Sequence, residues 1–145
     1  MSDWDLPDPH LLEAYVEDSM VDQMGHMNNV EYLRLLERVA WDHSWALGVD
    51  WALFEKLNRG MVIRHTELDY LAAAKPGDHL ELATWIVEND QRISMMRRYQ
   101  IKRQSDGVTV LRGRTRFVCI AIDSGKPRRM PPEFINAYKV TAKEA

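Results

Sequence analysis

The sequence predicts an α+β fold, an antiparallel five-stranded sheet curled around one long central helix. Three observations predict it. Asn29 to Leu47 holds no Pro or Gly, and its apolar residues recur near helical spacing. Beyond Gly60 the period changes, and four runs with strand-like alternation follow, separated by turn residues. A lone antiparallel sheet also needs a cover for its apolar face, and only the helix from Asn29 is long and apolar enough to supply one.

The chain of 145 residues fits one domain, taken as residues 1–145, with 46% hydrophobic and 28% charged residues. That balance suits a soluble globular protein with one core. A net charge of −3 gives no bulk attraction to nucleic acid or to an anionic membrane. No apolar run approaches the roughly 20 residues of a membrane span. Met1 to His10 is acidic and contains Pro, without the basic and apolar regions of a signal peptide. Cys119 is the only cysteine, which excludes an internal disulfide and a cysteine-based zinc site. A reducing, cytoplasmic location is the expectation.

Taken in order, residues 10–21 read as a first strand ending near Val21. The polar, Gly-containing break Asp22-Gln23-Met24-Gly25-His26-Met27-Asn28-Asn29 follows. Asn28 with Glu31 three residues later has the form of a capping box. The helix it opens runs about five turns, and Gly48 supplies its stop. Asp50 caps a shorter helix, Trp51 to Leu57. Residues 61–71, 79–88, 92–104 and 108–122 read as strands. Ile93, Met95, Tyr99 and Ile101 share one face of the third run. Lys75-Pro76-Gly77-Asp78, Asn89-Asp90 and Asp106-Gly107 are turns. A last short helix begins at Pro131-Pro132, and the small polar tail from Thr141 is expected to fray.

Asp22, Gly25, His26, Asn28, Asn29 and Tyr32 fall within eleven residues, at the entry to the long helix. A helix start presents unpaired N–H groups and a partial positive charge. An oxyanion forming on a thioester carbonyl could be held there, by the N–H of Asn29. Gly25 would let backbone and substrate approach closely. Asp22 could activate water or attack the carbonyl itself, and His26 could donate a hydrogen bond or move a proton. The same residue types are also the ordinary material of turns and caps, so both readings stand at this point.

The string Asp22-x-x-Gly25-His26-x-Asn28-Asn29-x-x-Tyr32 resembles the signature of hotdog-fold thioesterases of the 4-hydroxybenzoyl-CoA thioesterase type, in the branch reading D-x-x-G-H-x-N-N-x-x-Y. The resemblance continues through Glu37, Tyr70, Lys75-Pro76-Gly77-Asp78 and the Arg-rich last strand to Pro131-Pro132-Glu133-Phe134. It implies an acyl-CoA substrate, no metal or cofactor, and a homodimer or homotetramer. Two subunits would form one continuous sheet, with active sites at their interface. It also implies Asp22 as nucleophile or general base, and the N–H near Asn29 as oxyanion donor. His26 and Asn29 match the plant acyl-carrier-protein thioesterases too, although those carry Asn where this chain has Met24. The 4-hydroxybenzoyl-CoA type often has a second acid where this chain has Met20, so the site rests on one carboxylate plus His26. An acyl-carrier-protein thioesterase and a non-catalytic acyl-CoA binder are the alternatives. A dehydratase of the same fold would need His in contexts that are missing here.

Four further groups complete the expected site. Arg112, Arg114 and Arg116 share one face of a strand. They are either a solvated face or, with Lys126, Arg128 and Arg129, a cationic groove for CoA phosphates. Arg97, Arg98, Lys102 and Arg103 could add to that groove. Trp41 and Trp45 share a helix face and serve packing or an aromatic acyl pocket, which could also hold a cationic acyl group such as a betaine type. Glu37 hydrogen-bonds within the site or pairs with Arg34 or Arg38. Cys119 reads as core.

Overall fold

The computed structural model describes residues 4–144, so Met1 to Asp3 and Ala145 lie outside it. Nine elements follow one another: β1 (His10–Tyr15), a 3-10 turn (Asp18–Met20), α1 (Asn29–Ala46), α2 (Trp51–Leu57), β2 (Gly60–Tyr70), β3 (His79–Asn89), β4 (Ser94–Arg103), β5 (Thr109–Ile120) and α3 (Pro132–Ala137). The five strands form one sheet in the order β1-β3-β4-β5-β2, antiparallel at every pairing. No helix of the described residues is long and apolar enough to cross a membrane.

The expectation of a sheet curled around one long central helix is overturned. The sheet is open, with β1 and β2 as separate edges, and its helical cover is split among three elements. The reason is the reach of α1. Its 18 residues bury Tyr32, Leu35, Leu36, Val39, His43 and Ser44, and it lies over β1 and β3. The rest of the face is covered by Phe54 of α2 with Phe134 and Tyr138 at α3, packed on Ile86, Met95 and Cys119. Each of those two helices is too short to show as a cover in the sequence, yet together they complete one.

The helix boundaries follow from local chemistry. Asn28 Oδ1 accepts the Val30 N–H at 3.1 Å. The second half of the capping box is not made, because the Asn28 N–H donates to the Met20 carbonyl and Glu31 pairs with Arg34. Gly48 ends α1 at φ 87°, a backbone shape that L side chains resist. Asp50 caps α2 through the Leu53 N–H.

Two further expectations change. The first strand stops at Tyr15, and the segment to Met20 turns instead. The tail does not fray: the Thr141 N–H donates to Ile86, Ala142 is buried and Glu144 pairs with Arg98 and Arg114. Together with Trp4 and Leu6 this tail covers Ala83, Trp85 and Met96 on the outer face of the sheet.

Candidate active site at the start of α1

The loop Asp22–His26 is closed by its own first residue. Asp22 Oδ1 accepts the N–H of Met24 at 2.9 Å and of His26 at 3.3 Å. The Asp22 N–H donates to the His26 carbonyl, and the Gly25 N–H to the Asp22 carbonyl. Gly25 stands at φ 78° with nothing within 4 Å of a Cβ built there. Glycine is therefore required by the backbone turn, whereas a crowded approach is not seen. Val21 and Met27 pair across the neck of the loop, and the Met27 N–H donates to Ala74.

This turn delivers Asp22 and His26 to a cavity of about 290 Å³, also lined by Asn29, Tyr32 and the facing segment from Tyr70 to Ala73. Asn28 Oδ1 is occupied by Val30. The Asn29 N–H has no acceptor within its helix and none among the described residues. Tyr32 is buried and its hydroxyl accepts the Ala74 N–H at 3.1 Å, with its ring edge-on to Tyr70. Burial pushes its phenol upward. Tyr32 thus ties the Ala72–Ala74 segment, the far wall of the cavity, to α1.

The other expected residues lie elsewhere. Glu37 and Trp41 are exposed on α1 and line a second cavity between α1 and the sheet. Trp41 packs on Phe54 at 5.6 Å between ring centres. Trp45 is 64% exposed, on the outward face that it shares with Val30 and Leu33. Glu37 pairs with neither Arg34 nor Arg38: Arg34 is held by Glu31.

Arg112, Arg114 and Arg116 do share the outer face of β5, but acids already engage them. Arg112 forks onto Asp5 at 2.6 and 3.0 Å, Arg114 binds Glu144, and Arg116 reaches Ser94 and Glu88. Lys126 and Arg128 are exposed after β5, with no carboxylate partner among the described residues. Arg98 joins Asp5 and Glu144, and Lys102 lies over the Trp4 ring. Arg103 is held by Asp106. Arg97 does not belong to this face. It points inward and is 1% exposed. The signal was available, since Arg97 has the parity of Met95, Tyr99 and Ile101. Cys119 is core, and burial pushes its thiol up to about 11. Among the described residues no cluster of His, Cys, Asp or Glu is placed to hold a metal ion.

The comparisons agree with this architecture. Residues 16–138 match the model of the thioesterase-like superfamily, and the chain belongs to this hotdog-fold family. No curated protein matches it in sequence. Among solved structures, a 1,4-dihydroxy-2-naphthoyl-CoA thioesterase from Synechocystis is 18% identical, with 90% of this chain and 96% of that one covered at a TM-score of 0.81. A DHNA-CoA thioesterase from Staphylococcus aureus is 24% identical, covering 90% and 88%, also at 0.81. A hypothetical protein from Staphylococcus aureus, solved in complex with CoA, is 15% identical over 94% and 85%, at 0.83.

Proposed function

We propose that the protein hydrolyses an acyl-CoA thioester to the free acid and CoA, as a member of the D-x-x-G-H-x-N-N-x-x-Y branch. The observation that carries this reading is one cavity that holds both a carboxylate, Asp22, and an unclaimed helix-start N–H, at Asn29. The N–H would take the developing oxyanion in a position where one such donor is worth roughly 3–4 kcal/mol. Asp22 would take a proton from the attacking water, or attack the carbonyl carbon itself to form an anhydride that water then hydrolyses; in either case the C–S bond breaks and CoA leaves as the thiolate. His26, which has no side-chain partner among the described residues, would orient the carbonyl or share the proton. A CoA thioester as substrate class is supported by the two CoA thioesterases and the CoA complex among the structural relatives.

Two further parts belong to this reading. Lys126 and Arg128 would receive the CoA phosphates. The apolar outward face of α1, with Val30, Leu33, Trp41 and Trp45, would be buried in a homodimer or homotetramer whose sites lie at the interface. Light scattering at micromolar concentration should show a dimer or larger.

A second reading has its own observation. Asp22 Oδ1 already closes the loop, as a purely structural residue would. Asp22→Asn separates the two, because an amide oxygen accepts the same two N–H groups but can neither attack nor take a proton. Circular dichroism should be unchanged and free-thiol release should fall about a hundredfold or more. Activity within about threefold of the unsubstituted protein contradicts the catalytic role of Asp22.

A further inference from the structure

The second cavity, about 330 Å³, lies between α1 and the sheet and is mostly apolar, lined by Leu33, Leu36, Met95 and Phe117 among others. Its residues on α1 run from Leu33 to Ser44, beginning one turn after Asn29. Leu33, Glu37 and Trp41 also line the groove outside α1, so the cavity opens there. Cleft and cavity therefore succeed one another along a single helix.

Arg97 stands in this apolar lining. Its Nη1 donates to His43 Nδ1 at 2.8 Å and to Thr84 Oγ1 at 3.3 Å. Its Nε is buried without any partner among the described residues. Among the described residues no Asp or Glu forms an ion pair with it. His43 is buried and neutral, so it accepts a hydrogen bond but supplies no charge. The hydroxyls nearby do not answer Nε either: Ser44 and Tyr138 bond each other at 2.9 Å. An Arg cannot shed its proton to escape burial. A buried guanidinium that lacks a carboxylate is costly unless something else meets it. In a largely apolar cavity that otherwise holds Glu37 where it opens and the hydroxyl residues Ser44, Tyr99, Thr115 and Tyr138, that describes a site for a ligand with an apolar body and one acceptor at its end.

We propose that this cavity takes the acyl part of the substrate, and that Arg97 selects acyl groups whose far end carries an oxygen acceptor, a carboxylate or hydroxyl, over plain hydrocarbon ends. The proposal rests on the acyl-CoA reading above and names the substrate class for it. The acceptor meets Nη2, which no group among the described residues engages, and a small shift of the guanidinium brings the buried Nε into the same fork that carboxylates bind. Since His43, which Arg97 binds, lies fourteen residues beyond Asn29, or about 21 Å at the helical rise, a long acyl chain is needed to reach Arg97.

The test compares acyl-CoAs matched in length and tipped with methyl, hydroxyl or carboxylate, across a series from hexanoyl to eicosanoyl. Steady-state kinetics gives kcat/KM, and calorimetry with the non-hydrolysable thioether analogues gives affinity without any turnover. At one chain length the oxygen-tipped compounds should exceed the methyl-tipped one by about tenfold or more in both measurements. In Arg97→Met that ratio should collapse towards one. Methyl-tipped compounds bound as well as the others at every length overturn the proposal while leaving a thioesterase intact. Discrimination by the analogues with no hydrolysis of any thioester upholds the cavity and removes the thioesterase reading. If Arg97→Met fails to fold, the ratio in the unsubstituted protein decides alone.

Discussion

The two ends of α1 hold polar groups in opposite ways. At its start, Asp22 and His26 are only partly buried, and the turn between them is closed by hydrogen bonds four residues or fewer apart. At its other end, His43, Arg97 and Tyr138 are buried and come from a helix, a strand and the end of α3. Near the start, polar groups keep access to water. At the far end burial has removed contact with bulk water and left one donor unanswered among the described residues. The first arrangement suits bond making and breaking, in which groups must exchange protons. The second suits recognition, in which a fixed donor waits for a matching atom.

The largest expected effect that tests this contrast comes from the start of α1. Asp22→Asn should cost activity about a hundredfold while the melting temperature holds, and His26→Ala should cost less if His26 only orients the carbonyl. Equal losses would mean that both residues move the proton.

A smaller effect should come from the far end, as pH dependence. Burial first, and then the Arg97 charge, lower the His43 imidazole from 6.5 to about 3. The unfolded chain binds this proton at a higher pH than the folded one. Stability is therefore full above 6.5 and falls as pH drops towards 3, by at most about 1.4 kcal/mol per pH unit. In His43→Gln, whose amide oxygen can still accept from Arg97, thermal melts between pH 6.5 and 4.5 should flatten by comparison. An unchanged slope would show that His43 is not the titrating group.

The smallest effect separates the two sets of cations. Arg128→Ala should raise KM severalfold with kcat nearly unchanged, and added salt should mimic it. Arg114→Ala should act mainly on the melting temperature, because its partner is Glu144. If KM responds to Arg114 rather than Arg128, the acids on the outer face give way to CoA.

The contrast also explains what the sequence could tell. The turn and caps at Asp22–Asn29 depend on neighbours, so their residue types are readable in one short string. Strand runs and their turns were readable for the same reason. The cover of the sheet was not, since Phe54, Phe134 and Tyr138 meet only after folding. The arginines of β5 lay on the face that alternation assigned, yet their acidic partners sit more than a hundred residues back at Asp5 and thirty ahead at Glu144. Arg97 was misplaced because its charge outweighed its parity. An inward-facing Arg in an apolar alternation points to a buried polar site more strongly than to a surface patch.

One guanidinium, that of Arg98, touches Asp5 at 3.6 Å and Glu144 at 3.1 Å. Residues 139 positions apart in the chain are thereby held as neighbours on the outer face of the sheet. A short linker could join them directly. The chain could then be reopened in the exposed segment Asp123–Arg129, where few side chains are packed. Such a permuted protein would keep every strand pairing and would carry its new ends beside Lys126 and Arg128, far along the sequence from the loop at Asp22. It would make the order of the elements a free variable and leave their contacts as the part that matters.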